Sequence, residues 1–450
     1  MNEQIEQKQL ELFSSGKVSS AVLKNAIPAM IAMLMALIYN LADTFFIGQV
    51  HDDLQVAAVA MCTPVFLMFM AIGTIFGLGG SSVIARALGE GRTEYAKKVS
   101  SFCMWSCVVI GVVISCLFLL FMDQLLTLMG VDENVWEHAK TYMVIVSFSG
   151  PFALLANCFS GILRAEGQAN VSMTGTLIGN LVDLVLNPIM IIWLGWEIAG
   201  AAISTVIGNV LSALYYLLYY RKGTSLLSIR LKDCSAKDGI CKNVLAIGIP
   251  ASLGPLMMSV SQILLNGRMM AYGGMAVAGM GVASKVTMIT GMICLGLGQG
   301  VQPLLGYCVG AKLWDRFKKA LTFSLVFALS ISVVMTGVCY LLTEQIVNLV
   351  LTDPVAFDFG CYFSRILLTT SFLFGVFHVF ANTLQAMGAA MPSLIINLSR
   401  QGILFIPMLF VLESFLGLDG LLWAQPVVDV LSMVLAVALY IPAYRKMVRS

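Results

Sequence analysis

The sequence predicts an all-α integral membrane protein of twelve transmembrane helices, built from two parallel six-helix lobes that a pseudo-two-fold axis along the membrane normal relates. Three observations lead to this fold class: an apolar composition, twelve long apolar stretches and an internal repeat. Of the 450 residues, 59% are hydrophobic and only 11% are charged, whereas about 25% of the residues of a soluble protein are charged. Lipid rather than water must therefore cover much of the surface.

Apolar stretches of about 18 residues or more predict helices that cross a membrane. Twelve such stretches follow one another between a polar N-terminal segment and a basic C-terminal tail. Their predicted limits are 26–47, 56–79, 99–122, 141–163, 173–195, 199–220, 245–267, 277–299, 320–342, 360–383, 391–412 and 422–443.

The basic residues of the connecting segments alternate in number along the chain. With the N-terminus inside, 21 Lys and Arg fall on the cytoplasmic side, and only Lys140 and Arg268 fall on the outer side. Cytoplasmic loops of membrane proteins carry such an excess of positive charge. We therefore expect a multi-pass protein of the cell membrane with both termini in the cytoplasm.

An internal repeat relates the two halves of the chain at an offset close to 221 residues. Pro28 in NAIPAM pairs with Pro250 in IGIPAS, and LRAEG at 163–167 pairs with LQAMG at 384–388. Six helices per copy give both copies the same orientation, with a cleft between them, as in transporters that alternate access to the two sides. The predicted parts are an N-terminal lobe at 1–222, a cytoplasmic linker at 223–242 and a C-terminal lobe at 243–450.

The composition also argues against other classes of protein. A net charge of +2 is too small to indicate nucleic acid as a partner. The three histidines are scattered, whereas an integral-membrane enzyme would need a clustered His/Asp or metal constellation. We therefore expect neither catalysis nor a cofactor.

Five charged residues stand out within the predicted spans: Asp43, Asp183, Lys285, Arg400 and Asp429. Each costs roughly 2.5–3.5 kcal/mol at the centre of a helix, so each is a candidate functional residue. Arg365 is set aside, because it lies near the outer end of its span and can extend to the membrane surface. Arg400 and Asp429 carry opposite charges on the last two spans, which favours a structural pair. Lys285 is compatible with a counter-ion and with a residue of a substrate cavity.

The two acids of the N-terminal half stand among carboxamides. Asn40 precedes Asp43 by one helical turn, and Asn180, Asp183 and Asn187 form one polar stripe on an apolar helix. Both helices run outward, so the two carboxylates can share one cavity. Oxygen ligands suit Na⁺, and a buried carboxylate suits H⁺. The alternative is that these acids only hydrogen-bond neighbouring helices.

The chain resembles the multidrug and toxic-compound extrusion (MATE) family over nearly its whole length. The resemblance rests on ordered motifs: IPAMIAMLMALIYNLADTFFIG (27–48), GLGGSSVIARALGEG (77–91), LRAEGQANVSM (163–173), NLVDLVLNPIMI (180–191), GAAIST (200–205), GLGQGVQPLLGYCVGAK (296–312), LQAMG (384–388) and SRQGILFIP (399–407). It implies two six-helix lobes around a cleft, and export of cation-rich drugs or toxins against inward H⁺ or Na⁺.

The resemblance also assigns individual residues. Asp43 matches the aspartate in the first helix of the branch whose cation site lies in the N-terminal lobe, and Thr205 matches that branch's threonine in the sixth helix. That branch has Asn and then Asp on the fifth helix, whereas here Asp183 precedes Asn187. The exchange moves the negative charge by one turn, about 5.4 Å along the axis.

The resulting hypothesis is that ion and drug compete for a cavity centred on Asp43 and Asp183, directly or through the first helix with its Pro28 and Asn40. Na⁺ is the one metal ion that these two acids would hold, and we expect a monomer. The alternative is a flippase for a lipid-linked saccharide precursor, which needs several basic residues in the cleft. Only Lys285 and Arg400 are candidates for that role.

Overall fold

A computed structural model describes residues 11–48, 53–348, 350–351 and 353–449. Within these residues, eleven helices are long and apolar enough to cross a membrane, and a bent pair makes a twelfth crossing. The predicted all-α membrane fold is therefore confirmed. The helices are α1 (Val18–Gly48), α2 (Asp53–Gly89), α3 (Thr93–Leu120), α4 (Glu133–Ala165), α5 (Ala169–Pro188), α6 (Glu197–Arg221), α7 (Ile240–Met269), α8 (Gly274–Gly310), α9 (Trp314–Leu341), α10 (Pro354–Leu368 and Phe374–Ala386), α11 (Ala390–Leu398 and Phe405–Leu416) and α12 (Leu418–Arg449).

Local sequence explains where several helices begin and change direction. The side chain of Asp353 accepts hydrogen bonds from the N–H groups of Val355 and Ala356 at 2.9 and 3.0 Å, and Pro354 fills the first position of α10. This is a favourable N-terminus, because the cap satisfies donors that have no partner in the helix. The two parts of α10 are bent by 43°.

Two spans change from α-helical to π-helical geometry. The helix α5 ends at Pro188 and continues as a π-helix at Ile189–Trp193, while α11 contains a π-helix at Ser399–Ile403 between its two parts. Proline removes a backbone donor and disturbs the hydrogen bonds of the preceding turn. Such single-turn π segments are frequent at functional sites.

The chain forms two compact units, which differ from the predicted lobes by two exchanged segments. The first unit consists of 1–15 and 34–248, and the second of 16–33 and 249–450. The N-terminal part of α1, which includes Pro28, therefore belongs to the second unit, and the beginning of α7 belongs to the first. The predicted linker at 223–242 lies within the first unit.

In the first unit, small residues bring α5 and α6 close together. A Cβ atom at Gly208 on α6 would lie 2.7 Å from the carbonyl oxygen of Gly179 on α5, and one at Gly175 would collide with the Tyr216 ring. Glycine at these positions allows the backbones of neighbouring membrane helices to approach. The polar stripe of α5 therefore lies directly against α6.

Candidate functional site

The first unit joins α1, α5 and α6 through a chain of polar contacts. Asn187 donates a hydrogen bond through Nδ2 to Oδ1 of Asp43 at 3.0 Å, and Ser204 donates through Oγ to Oδ1 of Asn187 at 2.6 Å. Asn187 and Ser204 are fully buried. The amide of Asn187 thus presents its donor to the carboxylate and its acceptor to the hydroxyl, which fixes the orientation of all three groups.

Asp183 lies one turn before Asn187 on the same side of α5. Its side chain is beside the hydroxyl groups of Ser204, Thr205 and Tyr39, and the residue is only 3% exposed. Among the described residues, its Oδ1 atom has no hydrogen-bond partner. A buried polar atom without a partner is rare in folded proteins and indicates a bound ion, a water or a functional role.

Further polar groups complete the surroundings of the two acids. The hydroxyl of Tyr39 lies 3.5 Å from Oγ1 of Thr205, and both Tyr39 and Tyr142 are close enough to Asp43 and Asp183 to interact with their charges. Tyr39, Tyr142 and Ser204 were not predicted from the sequence. The spacing contained a signal for Tyr39, which precedes Asp43 by four residues and so lies on the same face of α1.

The chemistry of these groups suits a small cation. Two carboxylates, an amide oxygen and several hydroxyl groups are hard oxygen ligands of the type that Na⁺ accepts, and a shared proton can neutralise one of two neighbouring carboxylates. No group of three or more His, Cys, Asp or Glu that could hold a metal ion occurs in the described part of the chain.

The other predicted residues lie in several parts of the structure. They are Asn180 of the cation-coupling group, and Asn40, Pro28 and Lys285, which we expect at a substrate cavity or a switch in the first helix. Asn180 belongs to the same stripe, and its Nδ2 atom is buried without a hydrogen-bond partner among the described residues. Asn40 is exposed and donates to the Ala36 carbonyl at 2.7 Å. Pro28 is buried in the part of α1 that belongs to the second unit. Lys285 is exposed on α8 and forms no ion pair with a described residue.

In the second unit, Arg400 and Asp429 form an ion pair. Nε of Arg400 donates to Oδ1 of Asp429 at 2.9 Å. Asp429 also accepts hydrogen bonds from Gln425 at 2.8 Å and from Thr370 at 2.9 Å. Both carboxylate oxygens therefore have partners. A second pair in this unit joins Arg268 to Glu413.

Outside the spans, Glu166 holds the segment that follows α6. Its Oε2 atom accepts hydrogen bonds from the Ser225 hydroxyl at 2.7 Å and from the Leu226 N–H at 3.1 Å. The residue is completely buried, and this burial raises the pKa of Glu166 to about 7 although the hydrogen bonds oppose the increase. Glu166 was not predicted as a site residue, because it lies at a span end.

Comparisons with known proteins agree with the internal repeat. The MatE family model matches the chain twice, at residues 28–189 and 250–411. The chain is 29% identical to the multidrug export protein MepA of Staphylococcus haemolyticus over 95% of this chain and 94% of the relative. It is 28% identical to MepA of Staphylococcus aureus strain NCTC 8325 over 93% of this chain and 92% of the relative.

Solved structures show the same architecture. The chain superposes on a crystal structure of MATE in complex with MaL6 with a TM-score of 0.91, at 27% identity and with 98% of each chain covered. An outward-facing conformation of a multidrug resistance MATE family transporter of the MOP superfamily gives the same TM-score, identity and coverage. The two-lobe architecture predicted from the sequence is thus confirmed.

Proposed function

The chain belongs to the MatE family, and on that premise we propose that it exports small organic molecules, many of them cationic, in exchange for an inward-moving H⁺ or Na⁺. The relatives with matching length are named multidrug export proteins. The fold supports the proposal, because two six-helix lobes with parallel topology can alternate access to a site within the membrane.

One observation carries the coupling mechanism: Oδ1 of Asp183 is buried and has no partner among the described residues, next to the polar chain that leads to Asp43. A second negative charge near Asp43 is unfavourable in an apolar environment. A cation that binds at Asp183 removes this cost and satisfies the free oxygen. Asp43 and Asp183 are therefore the proposed ligands, supported by Asn187, Thr205 and Tyr39.

The mechanism follows from competition for these charges. A cation from outside offsets one of the two negative charges, which weakens the attraction of the site for a positively charged compound and releases it outward. Helix α1 then repacks, because Asp43 is its contact with Asn187. On the cytoplasmic side the cation leaves, and the restored charges attract the next organic cation. One charge that crosses the full field gains about 2.3 kcal/mol per 100 mV, and one pH unit adds about 1.4 kcal/mol.

The proposal includes the setting of this exchange. The distribution of basic residues supports an orientation with both termini in the cytoplasm, so the cytoplasmic face of the protein loads the compound. The surroundings of α3 suit lipid, because Val109, Val112 and Val113 are exposed. We propose that the functional form is a monomer that needs no cofactor besides the coupling ion.

Transport in inside-out membrane vesicles tests the function. Export then appears as uptake of ethidium, an organic cation, into the vesicle lumen. A pH gradient and a Na⁺ gradient, both directed outward from the lumen, are imposed separately. We expect one of them to drive uptake in the wild type and neither to drive it in Asp183→Asn, whereas Asp123→Asn, at an exposed ion pair with Lys140, retains uptake. Equal ethidium uptake with and without each gradient would contradict exchange transport.

A further inference from the structure

The ion pair of the second unit leaves most of the Arg400 guanidinium unused. A guanidinium has five N–H donors and two edges that can chelate a carboxylate. Of the Arg400 nitrogens, only Nε donates a hydrogen bond to Asp429. In the described part of the chain, the two terminal nitrogens of Arg400 form no hydrogen bond. By contrast, Arg268 binds Glu413 with Nε at 2.7 Å and with Nη2 at 3.0 Å.

Asp429 needs no further donor and cannot easily turn towards the rest of the guanidinium. Gln425 and Thr370 hold its oxygens together with Arg400, and its side chain is 2% exposed whereas that of Arg400 is 14% exposed. The carboxylate is thus the buried anchor, and the outer edge of the guanidinium is the accessible part of the pair.

Two aromatic side chains lie against the guanidinium. The central guanidinium carbon lies 4.2 Å from the Phe374 ring centroid and 5.4 Å from the Phe377 ring centroid, distances that favour cation–π attraction. The aromatic setting suits an apolar ring system attached to an anionic group.

Backbone geometry contributes to the position of Arg400. The residue lies in the π-helix Ser399–Ile403, where the carbonyl of Gln401 accepts a hydrogen bond from Ser261 of α7. A π segment costs stability relative to a regular helix and is retained mostly where it positions a functional group. Here it presents the guanidinium edge beside the aromatic rings.

We propose that Arg400 is a binding site for carboxylate-bearing aromatic compounds, so that the second unit recognises the anionic group of zwitterionic or anionic cargo. This inference rests on the proposed export function and extends its substrate class. The outer edge of Arg400 chelates the ligand carboxylate, Asp429 keeps the guanidinium in place, and Phe374 and Phe377 contact the ring system. An inorganic phosphate has no apolar part that could contact the aromatic rings. No apolar contact therefore offsets the free-energy cost of desolvating its charges.

Equilibrium binding to the full-length protein in nanodiscs tests the site. The probes are 2-naphthoate and the neutral 2-naphthamide, which have the same ring system, and empty nanodiscs correct for partition into lipid. We expect the wild type to bind naphthoate at least about tenfold more tightly than naphthamide, as a charge-assisted bidentate contact predicts. Arg400→Lys should reduce this preference to less than about threefold, because an ammonium cannot chelate both carboxylate oxygens.

Two further variants protect the test against misfolding and nonspecific charge effects. The double variant Arg400→Gln with Asp429→Asn removes both charges together and should also lose the preference. Arg268→Lys changes another ion pair of the unit, with Glu413, and should keep the preference. Equal affinities of the wild type for naphthoate and naphthamide, a preference retained in both Arg400 variants, or displacement of naphthoate by a lower concentration of inorganic pyrophosphate would overturn the inference.

Ethidium uptake by the same variants separates this inference from the proposed function. Ion-driven ethidium uptake without an Arg400-dependent naphthoate preference would overturn only the carboxylate site. An Arg400-dependent preference in a protein whose ethidium uptake ignores ion gradients would support the site and contradict the exchange mechanism.

Discussion

Asp183 in the first unit and Asp429 in the second are equally buried, each being 3% exposed, but their neighbours differ. Asp429 has an arginine, an amide and a hydroxyl as hydrogen-bond donors. Asp183 has hydroxyl groups nearby, no basic partner, and one oxygen without any hydrogen bond among the described residues. The comparison shows that burial alone does not reveal the role of a membrane acid. The partners decide whether its charge is fixed or free to be neutralised.

The largest expected effect is the loss of the fixed charge pair. Asp429→Ala leaves Arg400 buried without a counter-ion, which costs about 3–5 kcal/mol. We expect a markedly lower unfolding temperature of the purified protein and less protein in the membrane. Asp183→Asn should change the unfolding temperature little, because it has no charged partner to lose. Equal decreases in the unfolding temperature of Asp429→Ala and Asp183→Asn would contradict the conclusion that only Asp429 is held in a structural ion pair.

The next effect concerns the approach of α5 to α6. The added side chain in Gly208→Val would collide with the Gly179 carbonyl at 2.7 Å and would touch Asp183 at 3.4 Å. We expect a cost of roughly 1–3 kcal/mol and a large loss of ion-driven ethidium uptake in vesicles. Gly337→Val on α9 is the matched control, because a Cβ atom there meets nothing within 4 Å. Normal uptake by Gly208→Val would show that this contact does not position the site.

A smaller effect is expected from the hydrogen bond between Asn187 and Asp43. Asn187→Ala removes a donor to a carboxylate, a contact that contributes about 1.5–3 kcal/mol. The ion concentration for half-maximal ethidium uptake should shift by about tenfold or more while folding is retained. Asn157→Ala, which removes an amide that donates to Thr74 elsewhere in the first unit, serves as control. If Asn187→Ala and the wild type need the same ion concentration for half-maximal uptake, Asn187 does not contribute to the coupling site.

The smallest effect is a pH dependence of stability at Glu166. Burial raises the pKa of Glu166 from 4.5 to about 7, so the folded state binds this proton more tightly than the unfolded state. The stabilisation is present below pH 4.5 and is lost as the pH rises through about 7. The unfolding temperature of the wild type should therefore fall over this range more than that of Glu166→Gln. Glu90→Gln, at an exposed pair with Arg92, should keep the wild-type slope, and identical slopes in all three proteins would contradict the prediction.

Much of the fold was predictable, because apolar length and loop charge depend on the membrane more than on tertiary detail. The identities of Asp43, Asp183, Arg400 and Asp429 were visible as charges within apolar spans. Their partners were not, because contacts between distant helices depend on rotation and approach. Ser204 was missed for this reason, since serine occurs throughout membrane helices and only packing selects the one that reaches Asn187.

The exchange of Asp183 and Asn187 shows the same limit. The sequence indicated that the negative charge is displaced by one turn, but not which group would then face Asp43. In the structure the amide of Asn187 does so at 3.0 Å, and Asp183 lies beside Ser204, Thr205 and Tyr39. The boundaries of the two units were also unpredictable from the sequence. Residues 16–33 belong to the second unit and residues 240–248 to the first, and the hydropathy of these segments does not indicate this assignment.

The central claim is that buried acids of the first unit couple cation entry to export. Ion-driven uptake of ethidium by Asp43→Asn in inside-out vesicles tests it most directly, with the amount of variant in the membrane matched to the wild type. We predict that the gradient that drives uptake in the wild type, of H⁺ or of Na⁺, does not raise ethidium uptake by Asp43→Asn above that of vesicles without the protein. Undiminished gradient-driven uptake by Asp43→Asn would contradict the account.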